Sequence, residues 1–184
     1  MTFSAMLLTI LIVAGCRRNE APYEETLADV LKAGPSIEGK SSYLATPYVT
    51  AGDRVYMVGH QDGSFPEIGW HIPGEMGGIW NHPIKLMDGF QAEVFQDENT
   101  ISLEGSGTFV NYPVANAHRF SLENTELEVS RTQFVPDGLQ GLVVEYAMHN
   151  PGSRTEEFTF RFAGHSDLRP TWLGEKTQMV DGKD

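Results

Sequence analysis

The chain has 184 residues and a net charge of −12, from 13 Lys plus Arg set against 25 Asp plus Glu. Charge of that sign is repelled by phosphate backbones and anionic lipid headgroups, which argues against nucleic-acid binding and against membrane attachment through basic patches. A hydrophobic content of 40% is enough for a core and argues against wholesale disorder. With 19 Gly and 10 Pro, the composition points to a turn-rich chain rather than a helical bundle.

Phe3 to Gly15 carry no charge, and the apolar run is roughly a dozen residues, short of the ~20 a membrane-spanning helix needs. It fits the apolar core of a secretory signal, followed by small residues at the cleavage point. Val13-Ala14-Gly15-Cys16 resembles the bacterial lipobox, in which the thiol accepts the lipid. Residues 1–15 are therefore expected to be a lipoprotein signal peptide, with Cys16 the lipidated residue. No Lys or Arg precedes the apolar run, which leaves an upstream start codon open. Cys16 is the single cysteine, so no intrachain disulfide and no Cys-x-x-Cys metal pair can form. Arg17, rather than Asp, follows it, which points to the outer membrane of a bacterial cell envelope.

Residues 16–40 are expected to form a lipidated tether with one short helix. Tyr23, Leu27, Val30 and Leu31 recur at helical spacing, and Gly34-Pro35 stops the run. Such a stripe is expected to dock on the domain rather than recruit a partner. Residues 41–184 read as a mainly β domain, an antiparallel β-sandwich. Asp53 to Val58 ends in the strand-forming run Val55-Tyr56-Met57-Val58, and Gln61-Asp62-Gly63 reads as a turn. Gly89 to Phe95 and Ile101 to Tyr112 are further strands around a polar turn at 96–99. Thr125 to Val135 alternates and is followed by the tight turn Pro136-Asp137-Gly138. Leu142 to His149 and Glu157 to Ala163 flank Asn150-Pro151-Gly152-Ser153, the clearest hairpin signal in the chain. Phe158, Phe160 and Phe162 share one face of the second arm and read as core. Glu175 to Val180 followed by Asp181-Gly182 looks like a strand entering a turn. An edge without its return strand suggests a domain cut short at its C-terminal end.

The stretch His60 to Gly89 has little period of either kind, is dense in Gly and Pro, and holds two of the three tryptophans. A loop of that length inside a domain points to function. Indole faces stack on the C–H faces of a pyranose, while carboxylates and imidazoles pair with hydroxyls. Trp70, His71, Glu75, Trp80 and His82 are the candidates for carbohydrate or interdomain contact, against the plainer reading that the tryptophans simply pack. Asp62 and Asp88 precede glycines and read as turn residues. His60, His71 and His82 match no compact zinc motif, so no metal site is expected. No cofactor is expected either, and calcium stays open because scattered carboxylates leave no string outside EF-hands. Neither a Gly-x-Ser-x-Gly elbow nor a phosphate-cradling Gly-Lys-Ser/Thr loop occurs.

Tyr48-Val49-Thr50-Ala51-Gly52-Asp53-Arg54-Val55-Tyr56, His60-Gln61-Asp62-Gly63, Gly74-Glu75-Met76-Gly77-Gly78-Ile79-Trp80 and His82-Pro83-Ile84-Lys85-Leu86-Met87-Asp88-Gly89-Phe90, with Val135-Pro136-Asp137-Gly138-Leu139, resemble the amino-terminal β-domain of bacterial glycogen-debranching or six-hairpin glycosidase-like proteins. The resemblance covers most of residues 41–175. It implies a supersandwich followed by an (α/α)6 barrel that carries the general acid and base, so no catalytic residue transfers to this chain. The expected function is the β-domain of an exported glycoside hydrolase acting on α-glucans or related oligosaccharides. Its partners would be a glycan, its own C-terminal catalytic domain and the membrane that holds its lipid. A free-standing carbohydrate-binding surface lipoprotein is the alternative, and a structural β-domain docking on another chain through the loop is a third.

Overall fold

The computed structural model describes residues 25–69, 74–96, 98–123 and 125–171. Cys16, the signal segment and the strand expected at 175–180 lie outside the described residues. The helix α1 (Leu27–Leu31) is capped by Thr26, whose hydroxyl accepts from the Asp29 N–H while the Asp29 carboxylate reaches back to the Thr26 N–H. Leu31 packs beside Val110, Tyr112, Ala115 and Ala117, and the Leu27 N–H donates to Glu145 Oε1 at 2.8 Å. Leu31 and the Leu27 N–H thus touch the domain, while Val30 of the same stripe is exposed and Tyr23 lies outside the described residues.

The domain is mainly β, with two antiparallel sheets packed together. One sheet holds β1 (Ile37–Glu38), β7 (Thr108–Asn111), β8 (Ala115–Phe120), β9 (Glu128–Phe134) and β10 (Val143–His149), in that spatial order. The other is ordered β11 (Thr159–Pro170), β5 (Ile84–Gln96), β4 (Gly78–Asn81), β3 (Tyr56–His60) and β2 (Pro47–Ala51), with β6 (Asn99–Ser102) also on β5. The core fills the space between them. Tyr48, Met57, Ile79, Phe90 and Phe109 form one part; Ala92, Val94, Leu103, Phe120 and Val129 form the other. Inward side chains follow the period of two: on β2 Tyr48 and Thr50 are buried while their neighbours are exposed.

Four expectations are corrected. The stretch His60 to Gly89, expected as one long loop, holds β4 and the first residues of β5; its dense Gly and Pro, with Gly78 at a positive φ, hide the strand period. The span Ile101 to Tyr112 is two strands, β6 and β7, because Gly105 takes a positive φ of 76° in the turn between them and Leu103 dives into the core. Asn150 to Ser153 is not a hairpin turn. β10 pairs with β9, whereas β11 pairs with β5, so the chain crosses there from one sheet to the other. The local hairpin is instead β9–β10, around Pro136-Asp137-Gly138. Phe158, Phe160 and Phe162 are not core either: they are 38%, 36% and 50% exposed, because β11 is an edge strand.

Gly78 opens β4 at φ 87°, and a Cβ there would lie 2.1 Å from the Met87 carbonyl oxygen. Only glycine lets β4 approach β5 this closely. Gly89 makes similar room for the Phe65 ring, which packs beside Phe90 at the core. Among the described residues no helix is long and apolar enough to cross a membrane.

Candidate functional site

A row of side chains crosses the six-stranded sheet through cross-strand pairing. Tyr56 on β3 sits opposite Trp80 on β4, Trp80 opposite Lys85 on β5, and Lys85 opposite Arg169 on β11. Tyr56 precedes Met57, which is buried in the sandwich core, so alternation places this row on the outer face. Glu75 and Gly77, just before β4, lie against this row. Trp80 is 3% exposed; its indole N–H donates to Gly77 O at 2.8 Å, and its ring stacks on Tyr56 at 6.3 Å between centroids. Lys85, 1% exposed, lies with Nζ 5.9 Å from the centre of the Trp80 ring.

The Lys85 ammonium gathers three carboxylates. It donates to Glu75 Oε2 at 2.6 Å and to Asp88 Oδ1, and it lies 3.3 Å from Asp167 Oδ2. Arg169 Nη1 holds the other oxygen of Glu75 at 3.2 Å. Asp167 and Arg169 are neighbours but one on β11 and are both buried, next to register shifts after His165 and Ser166. Burial pulls the Lys85 pKa down, but the Asp88 and Glu75 hydrogen bonds and charges together outweigh it and leave it raised. Burial pushes the Asp167 carboxyl up, with Lys85 opposing. Asp167 Oδ2 is near Lys85 in distance yet lacks an aligned hydrogen bond, so its attraction is electrostatic and incomplete.

Carboxylate oxygens of Glu75, Asp88 and Asp167 lie within 4.8 Å of one another, a spacing that could suit a metal ion. The Lys85 ammonium already stands among them and supplies the cation. Chemically this is a clamp: it ties the loop (Glu75) to β5 (Lys85, Asp88) and to β11 (Asp167, Arg169). Glycoside hydrolysis, by contrast, uses two carboxyl groups free to act as acid, base or nucleophile.

Of the residues expected at a contact site, Glu75 is in this cluster, Trp80 is buried beside it, and His82 is exposed in the β4–β5 turn. Trp70 and His71 lie outside the described residues. Lys85, Asp167 and Arg169 were missed as site residues: nothing in the local string around a lone lysine or around Ser166-Asp167-Leu168 marks a buried ion pair.

A second polar centre lies inside the sandwich. Arg131 on β9 is buried, donating to Gly63 O at 2.9 Å and Gln133 Oε1 at 3.1 Å. Its guanidinium stands 5.2, 5.9 and 6.0 Å from the rings of Phe90, Phe65 and Phe120. Arg131 and Gln133 both reach His118 Nδ1 at 3.2 Å, which assigns Nδ1 as the acceptor and the ring proton to Nε2. Burial, with Arg131 second, holds the His118 pKa well below its ordinary value. Burial pushes Tyr48 up to about 12 against the pull of Arg131. A signal for this centre exists in the sequence: Arg131 and Gln133 fall on the same parity as Leu127 and Val129, the inward one. Neutral acceptors and aromatic faces meet the buried cation here.

Comparisons with protein-family models, with curated proteins and with solved structures return no match. The fold and site define a two-sheet antiparallel sandwich with Glu75 clamped to β5 and β11 by Lys85 and Arg169.

Proposed function

We propose that the chain is the amino-terminal β-domain of an exported, lipid-anchored glycoside hydrolase acting on α-glucans or related oligosaccharides, with the clamped loop as its glycan-facing or interdomain surface. The observation that carries this reading is that the resembling motifs make one continuous feature. The β2–β3 hairpin and the β4–β5 hairpin are adjacent in one sheet, and Glu75 and Gly77 join them through Lys85 and Trp80. Within these strings the His82 imidazole is exposed and the Glu75 and Asp88 carboxylates are partly exposed. In this reading the catalytic acid and base come from the C-terminal barrel, and Cys16 keeps the enzyme at the envelope.

Titrating the purified chain with glycogen and malto-oligosaccharides in a calorimeter tests the contact surface. Binding is expected to weaken about tenfold in His82→Ala, the loss of roughly one hydrogen bond to a charged or polar partner. Trp80→Ala is a poor probe, because emptying a buried indole site costs about 3–5 kcal/mol of stability. Hydrolysis by the full-length gene product supports the enzyme; glucan binding with no hydrolysis would favour the free-standing binding lipoprotein. The absence of both binding and hydrolysis would remove the glycan reading.

A further inference from the structure

The clamp brings a primary amine and a carboxyl group together away from water. Lys85 of β5 is 1% exposed and Asp167 of β11 is 8% exposed. Their strands are antiparallel neighbours, and a register shift sets the pair. Ser166 faces Met87 and Arg169 faces Lys85, so three steps on β11 match two on β5. An extra residue of this kind re-aims the side chains beside it. Lys85 Nζ lies 3.3 Å from Asp167 Oδ2, yet that oxygen has no aligned hydrogen bond. The buried Trp80 ring closes one side of the amine, its centre 5.9 Å from Nζ. The other two carboxylates stand differently. Asp88 is 43% exposed and meets solvent. Glu75 has one oxygen on Lys85 Nζ at 2.6 Å and the other on Arg169 at 3.2 Å. Of the three, only Asp167 is both buried and left with an oxygen outside any aligned hydrogen bond. Burial favours its neutral carboxyl form, with Lys85 opposing.

We infer that Lys85 and Asp167 condense to an intramolecular amide, with Glu75 carrying a proton, so that the ionic clamp is the starting state of a covalent one. One proton passes from the Lys85 ammonium to the Asp167 carboxylate, which leaves an amine and a carboxylic acid. The Nζ lone pair then attacks Cγ and forms the N–C bond. Glu75 Oε2, on Nζ at 2.6 Å, takes a second proton and hands it to the departing hydroxyl. The Cγ–O bond breaks with its electron pair on oxygen, and water leaves. Of the three ammonium protons, two end on that water and one stays as the amide N–H. No oxidant or co-substrate enters. One charge of each sign disappears, so Arg169 against Glu75 and Asp88 leaves the cluster at 1 − 2 = −1. Two things favour a bond that water alone would not sustain. Fixing the reactants in contact is equivalent to an effective concentration of about 10⁵–10⁸ M, and burial disfavours a return to two separate charges. The amide fastens the edge strand β11 to β5 in a way that denaturant does not undo. It stands independently of the glycan reading.

Tryptic peptide mapping of the purified, folded chain by mass spectrometry tests this. Trypsin does not cut after an acylated lysine, so residues 55–119 should stay in one piece and carry residues 162–176 as a branch. The joined peptide should weigh one water less than its two parts, and fragmentation should place the junction at Lys85 and Asp167. It should accumulate with time after folding until it is the main form. Dehydration at an Asp-Gly pair such as Asp88-Gly89 also loses water, but it leaves trypsin free to cut after Lys85. Lys85→Arg keeps a cation among the carboxylates and should give no branch. Glu75→Gln should slow branch formation by about 100-fold, the usual scale of proton transfer by a placed side chain; an unchanged rate would take Glu75 out of the step. A chain that is folded by circular dichroism and still yields separate 55–85 and 162–176 peptides after days would overturn the inference. A branch that forms in Lys85→Arg would do the same.

Discussion

Replacing Lys85 by Met keeps most of the aliphatic stem under Trp80 and removes the ammonium. In the native cluster two cations, Lys85 and Arg169, face the carboxylates of Glu75, Asp88 and Asp167, a balance of 2 − 3 = −1. The variant has 1 − 3 = −2, with carboxylate oxygens within 4.8 Å of one another. At an effective dielectric of about 20, each such repulsion is on the order of 3 kcal/mol. Asp88, 43% exposed, contributes little of this because solvent screens it. Glu75 and Asp167 dominate, and removing one member of a buried pair costs about 3–5 kcal/mol. For a domain of this size that lowers Tm by roughly 6–20 °C at pH 7.5, read by circular dichroism. The sign with pH follows from proton uptake. Crowded carboxylates in the folded variant bind protons more readily than in its unfolded chain, so its stability rises as pH falls. The gap to the native protein should therefore narrow by pH 4.5. Calcium should raise the Tm of the variant and leave the native protein unmoved, since only the variant frees three carboxylates for a hard cation. A variant within about 1 kcal/mol of the native protein at pH 7.5, or a gap that widens in acid, would refute the clamp.

His118 gives a second pH test. Its folded pKa is well below the ordinary 6.5, so below that pH the unfolded chain takes a proton the folded one refuses, and stability falls as pH drops through this window. Urea midpoints at pH 7.5 and 5.5 should show the native protein losing about 1.4 kcal/mol more than His118→Gln over that interval; equal losses would mean the ring is not held neutral. Gly78→Ala should cost at least about 3 kcal/mol, combining left-handed strain with a Cβ driven into the Met87 carbonyl. A soluble variant with native urea stability would show that β4 can shift away.

Local chemistry made several elements legible. The helical spacing of Leu27, Val30 and Leu31 marks α1, and Gly34-Pro35 follows it. The alternation in 125–135 marks β9, Leu142 to His149 was read as the next strand, β10, and Pro136-Asp137-Gly138 turns between them. β8 was missed because Asn116 and His118 sit at inward positions, where their partners on β2 and β9 satisfy them and no apolar period is needed. The stretch around Trp80 was legible as unusual but not as sheet: Trp80 lies in β4 and β5 begins at Ile84.

By itself the sequence determined the mainly β class, the turn positions and the acidic charge, because these depend on residues a few positions apart. Only the tertiary structure decided which sheet receives each strand. Asn150 to Ser153 says that the chain bends, and nothing local says whether the next strand pairs with β10 or crosses to β5. The same pairing brings Asp167 and Arg169 to Lys85 and leaves three phenylalanines at an open edge. Burial and ion pairing are properties of neighbours in space, and those neighbours lie far apart along the chain.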